Sequence, residues 1–398
     1  MRVANTGCPP CKGAPAVRPE PVTHEEVALN RTLLAGPAVL LGLALAGSAH
    51  AQAQVVQTAP DYPRGRISGY MMGDYYWNAA GDPRHAYNAS SGADSGQVQI
   101  DGVKVITKDL NGLQFRRLYL QLDNDLSARY STRVRLEADG KSLTSDTKLG
   151  INVKALYVQA KSVLPRMDIY AGLVSVPFFD VTEEFWAYRS IEKVLPDFRN
   201  YSPSADMGVQ VKGFFDPNKV LGYNVLLGNG TGQRVENNRQ KRISGSLPVR
   251  WKDLRFEPYA DYENIVNGKD RLTWQVMLGY DLPKHSAVGY VVTDQIQHTP
   301  TGPYKEVLGH SIFARIQPTP KLGGFGRVDL WTPDKRATNR VDQQLWIAGL
   351  DWQPFGDVHV MPNVEAMQYV AKGNAAVPPH HDVQARITFY WRFSRPQS

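Results

Sequence analysis

The stretch Tyr130-Ser131-Thr132-Arg133-Val134-Arg135-Leu136-Glu137-Ala138-Asp139 decides how this chain is read. Tyr130, Thr132, Val134, Leu136 and Ala138 alternate with Ser131, Arg133, Arg135, Glu137 and Asp139. Successive residues of a strand point to opposite faces, so every charge here shares one side and the apolar residues share the other. Just upstream, Leu118, Leu120 and Leu122 interleave with Arg117, Tyr119, Gln121 and Asp123 in the same way. A soluble sandwich turns such an apolar face inward; a membrane barrel turns it outward to lipid.

Working outward from this pair, the dyad pattern recurs in about sixteen segments of roughly ten residues, as expected of an all-β, transmembrane antiparallel β-barrel of porin type. The first spans 66–79 and the last 381–393. The connections supply a test, because such barrels alternate short turns at one end with longer loops at the other. Short connections fall at 124–128, 216–218, 251–253, 283–284, 317–321 and 354–356. Long ones fall at 80–110, 176–204, 229–238, 298–306, 333–341 and 371–380, in phase with the short set. An even strand number then returns both termini to the short-turn, periplasmic side. Tyr75, Trp77, Trp251, Tyr262, Tyr280, Trp331, Trp352 and Trp391 lie near strand ends, where interfacial aromatic girdles belong. In the last segment Val383, Ala385, Ile387, Phe389, Trp391 and Phe393 alternate with polar residues. It has the form of a C-terminal strand recognised by the barrel-assembly machinery, although residues 394–398 extend past the final aromatic.

The N-terminus points to export. After Arg31 the chain runs apolar from Leu33 to about Ala46 and then reaches Ala49-His50-Ala51. A basic residue, a short apolar run and small residues at minus three and minus one make a secretory signal peptide, too short to span a bilayer. Residues 27–51 are assigned to it, with cleavage after Ala51 and the barrel domain in 52–398. The preceding Pro-rich residues 1–26 are foreign to a signal peptide and suggest a mis-assigned start, with Val27 or Val22 as the initiator. Cys8 and Cys11 fall in that segment, which leaves the mature chain without cysteine and without a lipid-anchored N-terminus. The location expected is the outer membrane of a Gram-negative cell, with lipid and lipopolysaccharide around the barrel.

Composition limits other classes. Charged residues are 21% of the 398, and only the leader is continuously apolar, so a bundle of membrane helices is excluded. The formal charge is +7; the first 51 residues hold four bases and three acids, leaving +6 without a basic cluster suited to nucleic acid. No Gly-x-Ser-x-Gly, phosphate-cradling glycine loop or His-Glu-x-x-His occurs, so no enzyme, cofactor or metal is expected. His380 and His381 are adjacent and point oppositely in an extended chain, which makes a poor metal pair. A hydrolase assembled from distant strands, and a plugged barrel acting as an adhesin or structural protein, are the alternatives.

Several stretches together resemble the phosphate-selective porin O and P family. They are Phe115-Arg116-Arg117-Leu118-Tyr119-Leu120-Gln121-Leu122, the segment from Tyr130 to Glu137, Ala155-Leu156-Tyr157-Val158, the segment from Ile169 to Phe178, and Asp206-Met207-Gly208-Val209-Gln210-Val211-Lys212-Gly213. The resemblance covers roughly 65–230 and implies a trimeric, sixteen-stranded diffusion channel without settling the solute; small hydrophilic or anionic solutes are expected.

Residues 176–204 follow the fifth segment, where porins commonly fold a loop into the pore. Asp180, Glu183, Glu184, Glu192 and Asp197, with Arg189, Lys193 and Arg199, would polarise a constriction. Facing it on the water side are Arg117, Arg133, Arg135, Lys212, Arg242, Arg250, Arg255, Arg315, Arg327, Arg386 and Arg392, together with Glu137. Opposed rings of charge set a transverse field that sorts ions. The acids Asp123, Asp139, Asp168, Glu257, Asp261, Asp329, Asp351 and Glu365 share that face, so the expected anion preference is weak.

Overall fold

The computed structural model describes residues 61–83, 97–100, 103–140, 148–374 and 378–396. The expected signal peptide, the alternative starts, Cys8 and Cys11 lie outside the described residues.

Period-two alternation becomes sixteen barrel strands among the described residues. They are β1 (Arg64–Ala80), β2 (Asn111–Asp125), β3 (Tyr130–Asp139), β4 (Asn152–Leu164), β5 (Met167–Ser175), β6 (Ala205–Phe214) and β7 (Gly222–Gly228). Strand β8 is in two pieces, Arg242–Ser246 and Val249–Trp251, both paired with the next strand and interrupted at Pro248, which has no N–H to give the ladder. There follow β9 (Leu254–Glu263), β10 (Arg271–Leu282), β11 (Ser286–Gln297), β12 (Lys305–Thr319), β13 (Leu322–Thr332), β14 (Arg340–Phe355), β15 (Val358–Lys372) and β16 (Asp382–Pro396). The first and last expected segments, 66–79 and 381–393, fall on β1 and β16.

Each strand pairs antiparallel with its neighbours in sequence, and β1 pairs with β16 from Arg66↔Pro396 to Ala80↔Val383. That last pairing closes the sheet, so no edge is left to recruit another strand. The outer face is apolar: Leu120, Leu122, Leu278, Ile312 and Leu350 are exposed, whereas Gln121, Asp261, Gln275 and Arg327 on the inner face are buried. Such polarity, apolar outside and polar inside, is the reverse of a soluble β-protein.

Three features depart from the sequence expectation. The first long connection contains a hairpin of its own, Gln97–Ile100 with Val103–Ile106. Trp331, expected in a girdle, shares the inner face with Arg327 and Asp329, and the Arg199 guanidinium lies 4.6 Å from its ring centroid. Most consequential is the apolar core. It lies inside the barrel, where residues 176–204 turn inward and pack Phe178, Trp186, Ile191 and Leu195, each at most 1% exposed, against the inner wall. Burying four such side chains contributes on the order of 6–12 kcal/mol.

Orientation of the apolar face yields a test. Leu278→Arg, on the outer face of β10, is expected to destabilise the folded barrel by about 2–4 kcal/mol, whereas Gln121→Arg on the inner face of β2 costs less. Urea titration of the protein refolded into lipid vesicles measures both.

Candidate functional site

The inward loop begins with α1 (Asp180–Trp186) and continues through α2 (Leu195–Phe198). In α1 the spacing of Thr182, Phe185 and Trp186 puts them on one buried side, while Asp180 and Glu183 fall in the first turn, where the helix dipole favours negative charge. Ala187 ends the helix in the left-handed region (φ 62°), donating its N–H to the Glu183 carbonyl. Pro196 starts α2, where a missing N–H costs nothing.

The buried side of the loop seats on β9–β15. Phe178 stacks on Tyr259 at 4.5 Å between centroids, Trp186 meets Phe313 edge-on at 5.4 Å, and Tyr188 lies 4.3 Å from Phe325. Glycine makes two of these seats possible. A Cβ at Gly279 would come within 2.6 Å of the Phe185 ring, and one at Gly309 within 2.6 Å of Leu195.

Polar side chains of the wall then reach the loop backbone. Gln275 Nε2 donates to the Phe178 carbonyl (3.2 Å), Arg315 Nε to Phe185 (3.1 Å), Arg327 to Lys193 (2.5 Å) and Gln295 Nε2 to Tyr201 (2.8 Å). From the opposite side Arg116 donates to the carbonyls of Ser190 (3.1 Å) and Ile191 (2.6 Å). Leaving one such carbonyl unmet costs about 1–3 kcal/mol.

The opposite side of the interior stays open. A cavity of about 260 Å³ lies between α1 and strands β1–β4 and β16, lined by Tyr70, Tyr119, Arg135, Lys154, Asp180, Glu183, Arg189 and Tyr390 among others. A second, of about 350 Å³, lies on the same side nearer the short-turn end, lined by Asp123, Arg133, Tyr157 and Gln159 among others.

Most charges expected to line the interior are found there as pairs. Arg117 meets Glu137 (3.1 Å) and Asp139 (3.8 Å), Arg133 meets Asp123 (2.6 Å), Lys212 meets Asp180 (3.2 Å) and Arg250 meets Glu184 (2.7 Å). Arg189 bridges Glu183 (3.3 Å) and Asp197 (3.0 Å), and Lys193 also reaches Asp197 (3.2 Å). Arg242 with Asp261 and Arg327 with Asp329 are buried pairs that hold the loop or the wall, and buried Arg386 meets the half-buried Glu365. Arg255 and Arg315 both face Asp281, and Arg392 pairs with Asp357 at the short-turn end. Arg135 differs. Its Nε donates to Gln121 (2.7 Å), its guanidinium lies 5.3 Å from the Tyr119 ring centroid, and among the described residues it has no carboxylate partner.

Two cations were missed by strict alternation. Register jumps from Met72↔Arg117 to Gly73↔Phe115, and from Arg135↔Ala155 to Leu136↔Val153, so Arg116 and Lys154 are the extra residues of β-bulges. Each bulge turns inward a side chain that alternation sends to lipid. Arg116 reaches Asp74 (3.4 Å) and Glu192 (3.5 Å), and Lys154 reaches Glu137 (3.2 Å). Two consecutive arginines within one strand, Arg116 and Arg117, were the available signal.

The loop carboxylates split electrostatically. Burial pushes the Glu192 carboxyl up, but Arg116 and Arg386 outweigh it and hold it below its ordinary value. For Glu183 burial wins: with Asp197 and Asp180 adding to it and Arg189 and Arg117 opposing, the carboxyl sits above its ordinary value.

No family model and no curated protein matches the sequence. Solved structures do match. The anion-selective porin from Comamonas acidovorans superposes with a TM-score of 0.60 at 11% identity, over 83% of this chain and 100% of that one. The outer-membrane channel DcaP of Acinetobacter baumannii gives 0.54 at 11%, over 83% and 97%. The trimer form of OmpT, an outer-membrane protein of Vibrio cholerae, gives 0.53 at 9%, over 84% and 100%. These likenesses establish the fold: a closed porin-type barrel.

Two outcomes follow from the site. Gly279→Val should unseat Phe185 and loosen the loop, so limited proteolysis within 176–204 accelerates while the barrel remains folded. Because Glu183 lies above its ordinary value, acid protonates it before ordinary carboxylates and removes negative charge from the cavity wall. Anion permeability, read from reversal potentials, therefore rises as pH falls into the carboxylate range, and Glu183→Gln abolishes the step.

Proposed function

We propose that this chain is an outer-membrane porin for passive diffusion of small hydrophilic solutes, with a weak preference for anions. One observation carries the reading: the apolar seat of the inward loop lies on one half of the wall, and on the other half, where Arg116 alone reaches its backbone carbonyls, a cavity lined by charged side chains is left. A plug would be expected to fill that space with apolar packing as well. Preorganised charge at a narrow, water-filled passage sets ion selectivity without any bond being made or broken, so no catalytic role is assigned.

The preference is weak because most bases already have an acid beside them, and its sign comes from Arg135. Phosphate selectivity asks for several unpaired bases converging on one point, since a multivalent oxyanion is best held by more than one guanidinium. Arg117, Arg133 and Lys154 are instead committed to Glu137 or Asp123. Assembly as a homotrimer, export by a cleaved leader, insertion through the C-terminal strand and contact with lipopolysaccharide complete the proposal; the trimer form of a barrel of the same fold supports the first.

Planar-bilayer recording tests it: stable stepwise currents are expected, and an absence of current would favour a plugged adhesin or structural barrel. In a salt gradient Arg135→Glu should move the reversal potential toward cation selectivity. Arg133→Glu, which faces Asp123 in the wider cavity, should move it less.

A further inference from the structure

We propose that the aperture holds a binding site for planar aromatic monocarboxylates, of which benzoate is the simplest; this deepens the porin reading and rests on it. The site combines a guanidinium with aromatic walls. Tyr119 lies 4.7 Å from Tyr70 between ring centroids, and Tyr70 lies 5.6 Å from Tyr390, so three rings run in series across β2, β1 and β16. The Arg135 guanidinium stands over the Tyr119 ring and its remaining N–H groups are not committed to a carboxylate among the described residues. All four side chains line the same cavity.

The chemistry of the solute follows from these parts. A guanidinium fork matches the two oxygens of a carboxylate and binds them bidentately. A ring attached to that carboxylate then lies against the tyrosines, where offset or edge-on aromatic contacts contribute about 0.5–1.5 kcal/mol each. The other bases at or beside the cavity are already matched, Lys154 by Glu137, Arg189 by Glu183 and Asp197, and Lys212 by Asp180, so one carboxylate is met by Arg135 whereas a second negative charge would find no uncommitted base. Size adds a further restriction. At about 260 Å³ the cavity falls just under the roughly 300 Å³ at which drug-sized pockets begin, which suits a single ring. An aliphatic anion such as acetate meets the guanidinium but not the rings, and inorganic phosphate meets one base where it needs several.

The test uses the full-length mature chain, folded in detergent and inserted in planar bilayers. Benzoate should interrupt the potassium chloride current in a concentration-dependent manner, and acetate or phosphate at the same concentration should not. Tyr119→Leu should weaken the interruption about 2- to 12-fold, corresponding to one aromatic contact. Arg135→Gln should weaken it more than about tenfold, the loss of a charge-assisted pair. Heat-modifiable electrophoretic mobility shows that each variant is folded, and the interruption is read as the ratio of benzoate to acetate within each variant. Benzoate interruptions equal to those of acetate, or unaffected by Tyr119→Leu, overturn the proposal in favour of simple charge attraction. Titration calorimetry of benzoate into the same micelles gives a second readout. If no chloride current appears, the porin reading fails, while calorimetry still decides whether the site binds.

Discussion

Backbone carbonyls buried inside a barrel must find donors other than water, and most of this structure is organised by how that requirement is met. Residues 176–204 leave β5, enter the interior and return to β6, carrying peptide groups where a dry seat would leave them unpaired. The wall answers with long side chains whose charged or amide ends reach inward, among them Arg116, Gln275, Gln295, Arg315 and Arg327. These donors are themselves oriented: Asp329 holds Arg327, and Thr273 accepts a hydrogen bond from Gln295 Nε2. Their spread over β2 and β10–β13 fixes the loop in position as well as in depth. The apolar belt beneath provides the larger free energy, but it is non-directional. Register therefore comes from the hydrogen bonds.

Pairing of charge on the inner wall is the second organising constraint. A ring of bases facing water would repel itself; here nearly every base of the interior stands next to an acid of the wall or of the inward loop. Desolvated pairs of this kind contribute little net stability, yet removing one partner leaves a costly unpaired charge. In the proposed channel, selectivity would be left to the few groups outside this matching.

How much of this could be read from the residues depends on the range of the interactions involved. Strand bounds and phase were legible because alternation is local: Leu118 to Asp123 states its own two faces, and a short connection follows each second strand. The inward loop was legible in place but not in posture, since nothing local in Phe178, Trp186 or Leu195 says which wall they meet. Arg242 and Arg327 read as water-side bases because their parity is right, but parity does not show that a loop covers them. Arg116 and Lys154 were missed for the opposite reason: each sits in a bulge, where parity itself breaks. Trp331 shows that an aromatic near a strand end is interfacial only if its parity is outward.

The aperture lies across the seam where the first and last strands meet. Tyr70 and Tyr390 stand on either side of it, and the hydrogen bonds from Thr388 to Asp74 (2.6 Å) and from Gln384 to Asn78 (2.7 Å) cross it. Part of the cavity wall, Tyr70 and Tyr390, is thus contributed by the two ends of the chain, which meet only where the sheet closes. An unclosed sheet would possess the loop and its apolar seat but lack that wall, so the channel role proposed above would be acquired on closure and not before.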